Sequence, residues 1–438
     1  MINVADFLPD DGVAARAVAL SPTIATMEGS RILAAASEAR ALRAKGVGVC
    51  DLTVGDFAPE HFQAPESFLW YLAMEIEAGQ NQYPPSDGIP ELQQEIVALY
   101  ARELGVQFPT GSVVVCGGAR PPIYAAFRCL LSAGDKVLFP VPSWNNDYYT
   151  HLCDAEAVQV RTSAETNFFP TVDDIKAGVR DIDVKLVCLC SPLNPCGTVI
   201  AEDVLRGICQ VIVEENQRRA AFGWKPVFLM FDQVYWPLTF GDVQHQHPLA
   251  LVPEIAPWVI YIDAISKWMV STGLRLGWAV VPPYLYAPMR DFMGHVGGWA
   301  PRPVQVAAAR FLREESDFLY FRDDLRHEVS QRLMTVRGFF DDMQAAGLPV
   351  ESTAPQGAIY ISVRLNVMGM TTPSGQVLRT NDDVRRYILT EAQVALVAFQ
   401  AFSLWEDTGW FRISVGAVGV EALEAGLQQI QRAIEALR

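Results

Sequence analysis

Between residues 110 and 280 the chain repeats one pattern: a short run that is apolar throughout, then a stretch with helical spacing. The runs include SVVVC (112–116), KVLFPV (136–141), AVQVRT (157–162), VKLVCLC (184–190), PVFLMF (226–231), WVIYIDAI (258–265) and GLRLGWAVV (273–281). A strand wet on one face alternates polar and apolar residues, whereas a strand covered on both faces does not need to. Runs of the second kind, separated by helices, predict an α/β domain with a mostly parallel sheet and helices on both faces.

After about residue 300 the pattern changes. A long helical region (304–345) is followed by short strands near GAIYISVRL and VALVAF, a last strand WFRISVGA and a closing helix. That order predicts a smaller α+β domain. A length of 438 residues suits two domains. The expected division is an N-terminal arm with part of the small domain (1–58), a large domain (59–310) and a small C-terminal domain (311–438).

A net charge of −16 argues against a general nucleic-acid or anionic-membrane surface. No apolar run is long enough to span a bilayer, and the first twenty residues lack a basic start followed by an apolar core. The eight cysteines show no CxxC and no zinc spacing. They read as reduced residues of a cytoplasmic protein; Cys196, in a turn beside the candidate site, is read the same way. His151, His245 and His247 read as ordinary polar positions, and no metal is assigned.

In open α/β sheets, ligands bind beyond the carboxyl ends of the strands. Each predicted strand end delivers a polar or aromatic group there: GGAR after 116, Trp144 after the second run, Asn194 in SPLNPCGT, Asp232 and Tyr235 in DQVY, then Ser266 and Lys267. Five such ends in order make a site. An amine in a partly desolvated place can form a Schiff base. Arg275 is a permanent cation suited to phosphate, and so are N–H groups at a helix start after Gly118. Asp232 can pair with a protonated ring nitrogen, Trp144 can stack on a flat ring, and Asn194 and Tyr235 can bond a ring oxygen. Those features describe pyridoxal 5′-phosphate.

The chain resembles the fold-type I pyridoxal-phosphate enzymes, specifically the class I aminotransferases of the aspartate/aromatic group. The resemblance runs from about residue 20 to the end, through LTVGDF, NQYPPSDGIPEL, GGAR, PSW, NPCGT, DQVY, SKWMVSTGLRLGW and FRISVGA. It implies that Lys267 holds the cofactor and moves the substrate Cα proton, and that Asp232 keeps the pyridine nitrogen protonated. It implies that Asn194 and Tyr235 bond the phenolate oxygen, and that Trp144 stacks on the ring. The phosphate would lie on Gly118, Ala119, Arg120, Ser266 and Arg275. Tyr83 would reach the phosphate of a neighbouring subunit, making a homodimer. Arg412 would bind the substrate α-carboxylate with backbone help from Gly55, and Trp144 and Asn194 would border the substrate.

Two positions depart from the pattern. Ala264 stands where many relatives have a hydroxyl, and Ala119 where serine is frequent. The expectation is that Arg120 makes up for them. MGHVGGWAPRPV has no arginine aligned for a distal carboxylate, and Arg302 falls too late. Phe57, Trp268, Trp299 and Trp405 are expected near substrate walls, favouring a broad or aromatic substrate. The expected activity is amino transfer between an L-amino acid (aromatic, aspartate or broad) and a 2-oxo acid such as 2-oxoglutarate. The alternatives are a lyase or synthase on the same scaffold, and a non-catalytic regulatory module.

Overall fold

The computed structural model describes residues 2–8, 19–109 and 111–438. The expected N-terminal arm therefore falls partly outside the described residues. In chain order the strands are β1 (Cys50–Asp51), β2 (Val113–Cys116), β3 (Lys136–Val141), β4 (Glu156–Arg161), β5 (Val184–Cys190), β6 (Phe228–Asp232), β7 (Val259–Ala264) and β8 (Gly277–Val280). β9 (Val350–Ser352), β10 (Tyr360–Leu365), β11 (Val394–Ala395), β12 (Val397–Ala398) and β13 (Trp410–Ser414) complete the set.

A seven-stranded sheet has the order β2-β8-β7-β6-β5-β3-β4. Its pairs are parallel from β7 across to β4, and β8 runs antiparallel to both of its neighbours. The central strands are buried along their length, as their unbroken apolar sequence requires. Edge strand β4 is mostly exposed and carries Glu156, Gln159 and Arg161, polar groups that discourage pairing with another chain. A four-stranded antiparallel sheet, β12-β13-β10-β9, lies in the C-terminal third. β1 pairs with β11, so the early chain is tied to the late chain.

Two expected strands differ in detail. The run GLRLGWAVV becomes strand only from Gly277, because Arg275 has φ 55°, a left-handed conformation that leaves the ladder. Gly277 then pairs with Cys116 on one side and Ala264 on the other. A Cβ there would meet the carbonyl carbon of Gly118 at 2.6 Å, so only glycine fits. The run VALVAF splits into β11 and β12, which belong to different sheets. Because β8 is reversed, the residue before its start emerges at the same edge as the residues after the ends of the parallel strands. Arg275 is thereby brought to the side of the sheet where Asp232 and Lys267 stand.

Candidate active site

One cavity of about 390 Å³ opens at the carboxyl edge of the large sheet and is closed over by the small one. That volume suits a cofactor with a small substrate. Of the residues selected from the sequence as site residues, all but Gly118 and Tyr83 line it.

Gly118 lies beneath the cavity at φ +91°, and a Cβ there would collide with the Arg275 guanidinium. The next helix, Arg120–Leu130, starts at once, with prolines 121 and 122 in its first turn. Prolines fit there because first-turn N–H groups have no helical acceptor. Gly118 N already donates to Cys116 O and Ile123 N to Ala119 O. The backbone donors left at this helix start belong to Ala119 and Arg120.

Asp232 is the last residue of β6, and Lys267 lies three residues beyond the end of β7. Lys267 Nζ donates to Gly55 O at 2.5 Å. Asp232 accepts Val234 N at 3.2 Å, and burial pushes its carboxyl up to about 6. Arg275 donates to Thr272 O at 2.5 Å and Gly117 O at 3.1 Å. Arg412, from β13, is 1% exposed. It donates to Asn194 Oδ1 at 3.1 Å and Thr53 O at 2.5 Å, and its Nε has no acceptor. Burial lowers its proton affinity, although a guanidinium stays charged.

Among the described residues, none of Lys267, Asp232, Arg275 and Arg412 belongs to an ion pair. Arg412 is buried and Asp232 and Lys267 are half-buried, and leaving such charges without a counter-charge is costly, so a cavity holding both signs unmet is arranged for a ligand carrying both. The donor set fits pyridoxal phosphate. Arg275 and the free N–H groups of Ala119 and Arg120 match a phosphate, lone Asp232 matches a ring N–H⁺, and the Lys267 amine matches an aldehyde. The orphaned Nε of Arg412 matches a further carboxylate.

Other expected residues fall at distinct places. The Arg120 guanidinium lies over the Trp144 ring, 4.9 Å from its centroid. The Tyr235 hydroxyl is 2.9 Å from that of Tyr360, and burial, then Tyr360, holds its proton far more tightly than usual. Tyr83 is 82% exposed and packs edge-on against Trp299. Arg302 donates to Gln80 away from the cavity. Cys196 is buried and its thiol is pushed well up by burial.

Two expectations are corrected. Phe57, Trp268, Trp299 and Trp405 do not line the cavity. Trp268 is core, packed between Trp236 and Trp278; Phe57 packs on Phe62; Trp405 lies under Arg31. His245 and His247 are not ordinary polar positions. His247 is buried and stacks on Tyr261, His245 is partly buried, and desolvation keeps both neutral, His245 down to about 3. Among the described residues no cluster of three metal-binding side chains exists.

Sequence reasoning missed Tyr360, which also lies under Arg412 with its ring centroid 4.5 Å from the guanidinium. It missed the helix Arg31–Ala44, whose Ala36 and Arg40 line the cavity. It also missed the Thr272 hydroxyl bond to Asp56 at 2.7 Å. The available signal was only an aromatic residue, Tyr360, opening a strand.

Residues 49–430 match the family model described as aminotransferase class I and II. The probable aspartate/prephenate aminotransferase of Rhizobium leguminosarum bv. phaseoli is 28% identical, with 94% of this chain and 98% of the relative covered. The aspartate aminotransferase of Geobacillus stearothermophilus is 28% identical, with 95% and 99% covered. The crystal structure of the aspartate aminotransferase from Rhizobium meliloti superposes with a TM-score of 0.87 at 25% identity, covering 96% and 99%.

Proposed function

The chain belongs to the class I and II aminotransferases, a pyridoxal-phosphate-dependent family, and from that premise we propose which residues perform the amino transfer and on what substrates. The carrying observation is that Lys267, Asp232, Arg275 and Arg412 share one cavity with no ion-pair partner among the described residues.

Bound in this cavity, the cofactor supplies a sink for the electron pair left at the substrate Cα. Lys267 would hold it covalently, and its Nζ would take the proton from the substrate Cα. Asp232 sits in a dry site without a cation of its own, which favours a protonated ring nitrogen against it. Arg275, Ser266 and the backbone N–H groups of Ala119 and Arg120 would hold the phosphate. The Asn194 amide and the Tyr235 hydroxyl, which contacts Tyr360, would bond its ring oxygen, and Trp144 would stack on the ring. Arg412 orients the α-carboxylate beside Gly55 and Asn194.

Arg40 and Arg120 also line the cavity, and neither belongs to an ion pair among the described residues. That supports an acidic side chain such as aspartate on the donor, in line with the names of the relatives, and 2-oxoglutarate as acceptor. The exposure of Tyr83, away from its own cavity, supports a homodimer in which it reaches the partner's phosphate. Eight unpaired cysteines support a reducing, cytoplasmic setting; among the described residues no helix is long and apolar enough to cross a membrane. The division at 58 and 310 is supported by the spread of the two sheets, with β1 joined to β11.

A donor panel against 2-oxoglutarate tests the reading. Expected are glutamate formation, greatest with acidic donors, and a pyridoxyl group on Lys267 after hydride reduction. No amino transfer with any donor, or a label on another lysine, overturns it.

A further inference from the structure

Behind the cavity, on the opposite face of the large sheet, lies a buried carboxylate with no part in the amino transfer itself. Side chains alternate faces along β7. Ile262 is level with Asp232, and Ala264 with Gly277, on the cavity side. Asp263 therefore points the other way, and it is fully buried.

Its two oxygens accept four donors. Oδ1 takes the backbone N–H of Ala264 at 2.7 Å and Trp268 Nε1–H at 3.2 Å. Oδ2 takes the Tyr100 hydroxyl at 2.7 Å and Trp236 Nε1–H at 2.8 Å. The Tyr100 oxygen accepts in turn from Trp278 Nε1–H at 2.8 Å. Among the described residues no lysine or arginine pairs with Asp263. Each tryptophan stands close in sequence to a site residue: Trp268 follows Lys267, Trp236 follows Tyr235, and Trp278 on β8 comes three residues after Arg275.

We propose that Asp263 is a positioning residue, an acceptor that ties the Lys267 turn to the Tyr235 loop directly, and through Tyr100 to β8, which begins two residues after Arg275, from behind the sheet. The proposal rests on the reading that Lys267 holds the cofactor and Tyr235 contacts it. An ionised carboxylate only accepts hydrogen bonds and offers about four acceptor positions, which these four donors fill. An asparagine cannot replace it, because its amide nitrogen would face two donors. The bonds to Tyr100 and Trp236 tie this strand end to segments 163 and 27 residues away, so losing them moves site residues relative to one another, and small displacements are costly to catalysis. Burial pushes this carboxyl up to about 7 even against the four donors, as expected of a group kept dry.

The test compares wild type with Asp263→Asn, Trp236→Phe and Tyr100→Phe. In the cofactor-loaded enzyme the readouts are kcat per bound cofactor, KM, and the pH midpoint of the visible absorbance of cofactor on Lys267. In the cofactor-free protein the readout is backbone hydrogen exchange. Asp263→Asn should lower kcat about tenfold or more while KM stays within about twofold. It should move the absorbance midpoint, and should speed exchange at Ala264–Trp268 and Gln233–Trp236 together. Trp236→Phe and Tyr100→Phe each remove one donor, and should give smaller changes of the same kind; they carry the test if Asp263→Asn does not fold. Variants with unchanged kcat per bound cofactor and unchanged midpoint overturn the proposal, and so does faster exchange confined to Ala264–Trp268. A wild type without cofactor absorbance on Lys267 would defeat the functional reading instead, so the two failures are distinguishable.

Discussion

Arg412 Nη1 donates to Asn194 Oδ1 at 3.1 Å, joining residues 218 positions apart. A guanidinium has no acceptor, so it fixes the orientation of the amide: the oxygen of Asn194 faces Arg412 and its NH₂ is left to donate elsewhere. One bond thus links the residue assigned to the substrate carboxylate with a residue assigned to the cofactor ring.

Arg412→Lys should weaken all substrates together. Lysine has no planar fork and cannot reproduce both the Asn194 contact and a bidentate grip on a carboxylate. The expected loss in kcat/KM is about 10–100-fold for every donor, the worth of one or two charged hydrogen bonds. Steady-state kinetics on acidic and aromatic donors check it; a loss restricted to one donor class would contradict the assignment.

Asp232→Ala should leave the protein able to bind cofactor through Lys267 but slow proton removal from Cα. The charge that favours a protonated ring nitrogen is gone, and the cost falls on the transition state. Single-turnover absorbance should show slowing by several orders of magnitude. A slowing of less than about tenfold, or about 1.4 kcal/mol, would be too small for this role.

Asp232 also predicts a pH effect in the cofactor-free protein. Its folded carboxyl titrates at about 6, above the usual range, because it is buried. The folded state therefore holds this proton more tightly than the unfolded state. The penalty for the ionised form is absent below about pH 4, grows between 4 and 6, and is complete above 6. Asp232→Asn cannot ionise, so it should be more stable than wild type above pH 6, by up to about 2–3 kcal/mol, and equal to it near pH 4. Denaturant midpoints of the two proteins across that range measure the difference.

Arg275→Ala and Arg120→Ala should differ in cofactor affinity. Arg275 is held by two backbone carbonyls and has no acidic partner among the described residues, so its charge is available to phosphate. Its removal should raise the dissociation constant for pyridoxal phosphate about 10-fold to 100-fold. The Arg120 guanidinium lies on Trp144, and its removal should cost only a few-fold, the scale of a partly exposed cation–π contact. Fluorescence titration of the cofactor-free variants decides; equal losses would mean that the Arg120 side chain turns to the phosphate.

Much of the cavity was legible because a parallel sheet converts local order into spatial convergence. Trp144, Asn194, Asp232 and Lys267 each stand at or a few residues beyond the end of an apolar run, and parallel strands bring their ends to one edge. The aromatic walls were not legible. Trp268 adjoins Lys267 in sequence, yet it packs between Trp236 and Trp278. Being aromatic does not say which face of a sheet a side chain occupies.

The sequence by itself determined the apolar runs, the helices between them and the strand-end residues, because burial and periodicity act over a few residues at a time. Only the tertiary structure decided that Tyr360 meets Tyr235, that Arg412 reaches Asn194, and that Asp263 collects donors from three other segments. Only there, too, does Arg120 settle on Trp144, 24 residues on. Three of these contacts, Tyr235–Tyr360, Asn194–Arg412 and Tyr100–Asp263, join residues more than a hundred positions apart. Whether such side chains meet depends on how the layers are set against one another, and no local pattern encodes that.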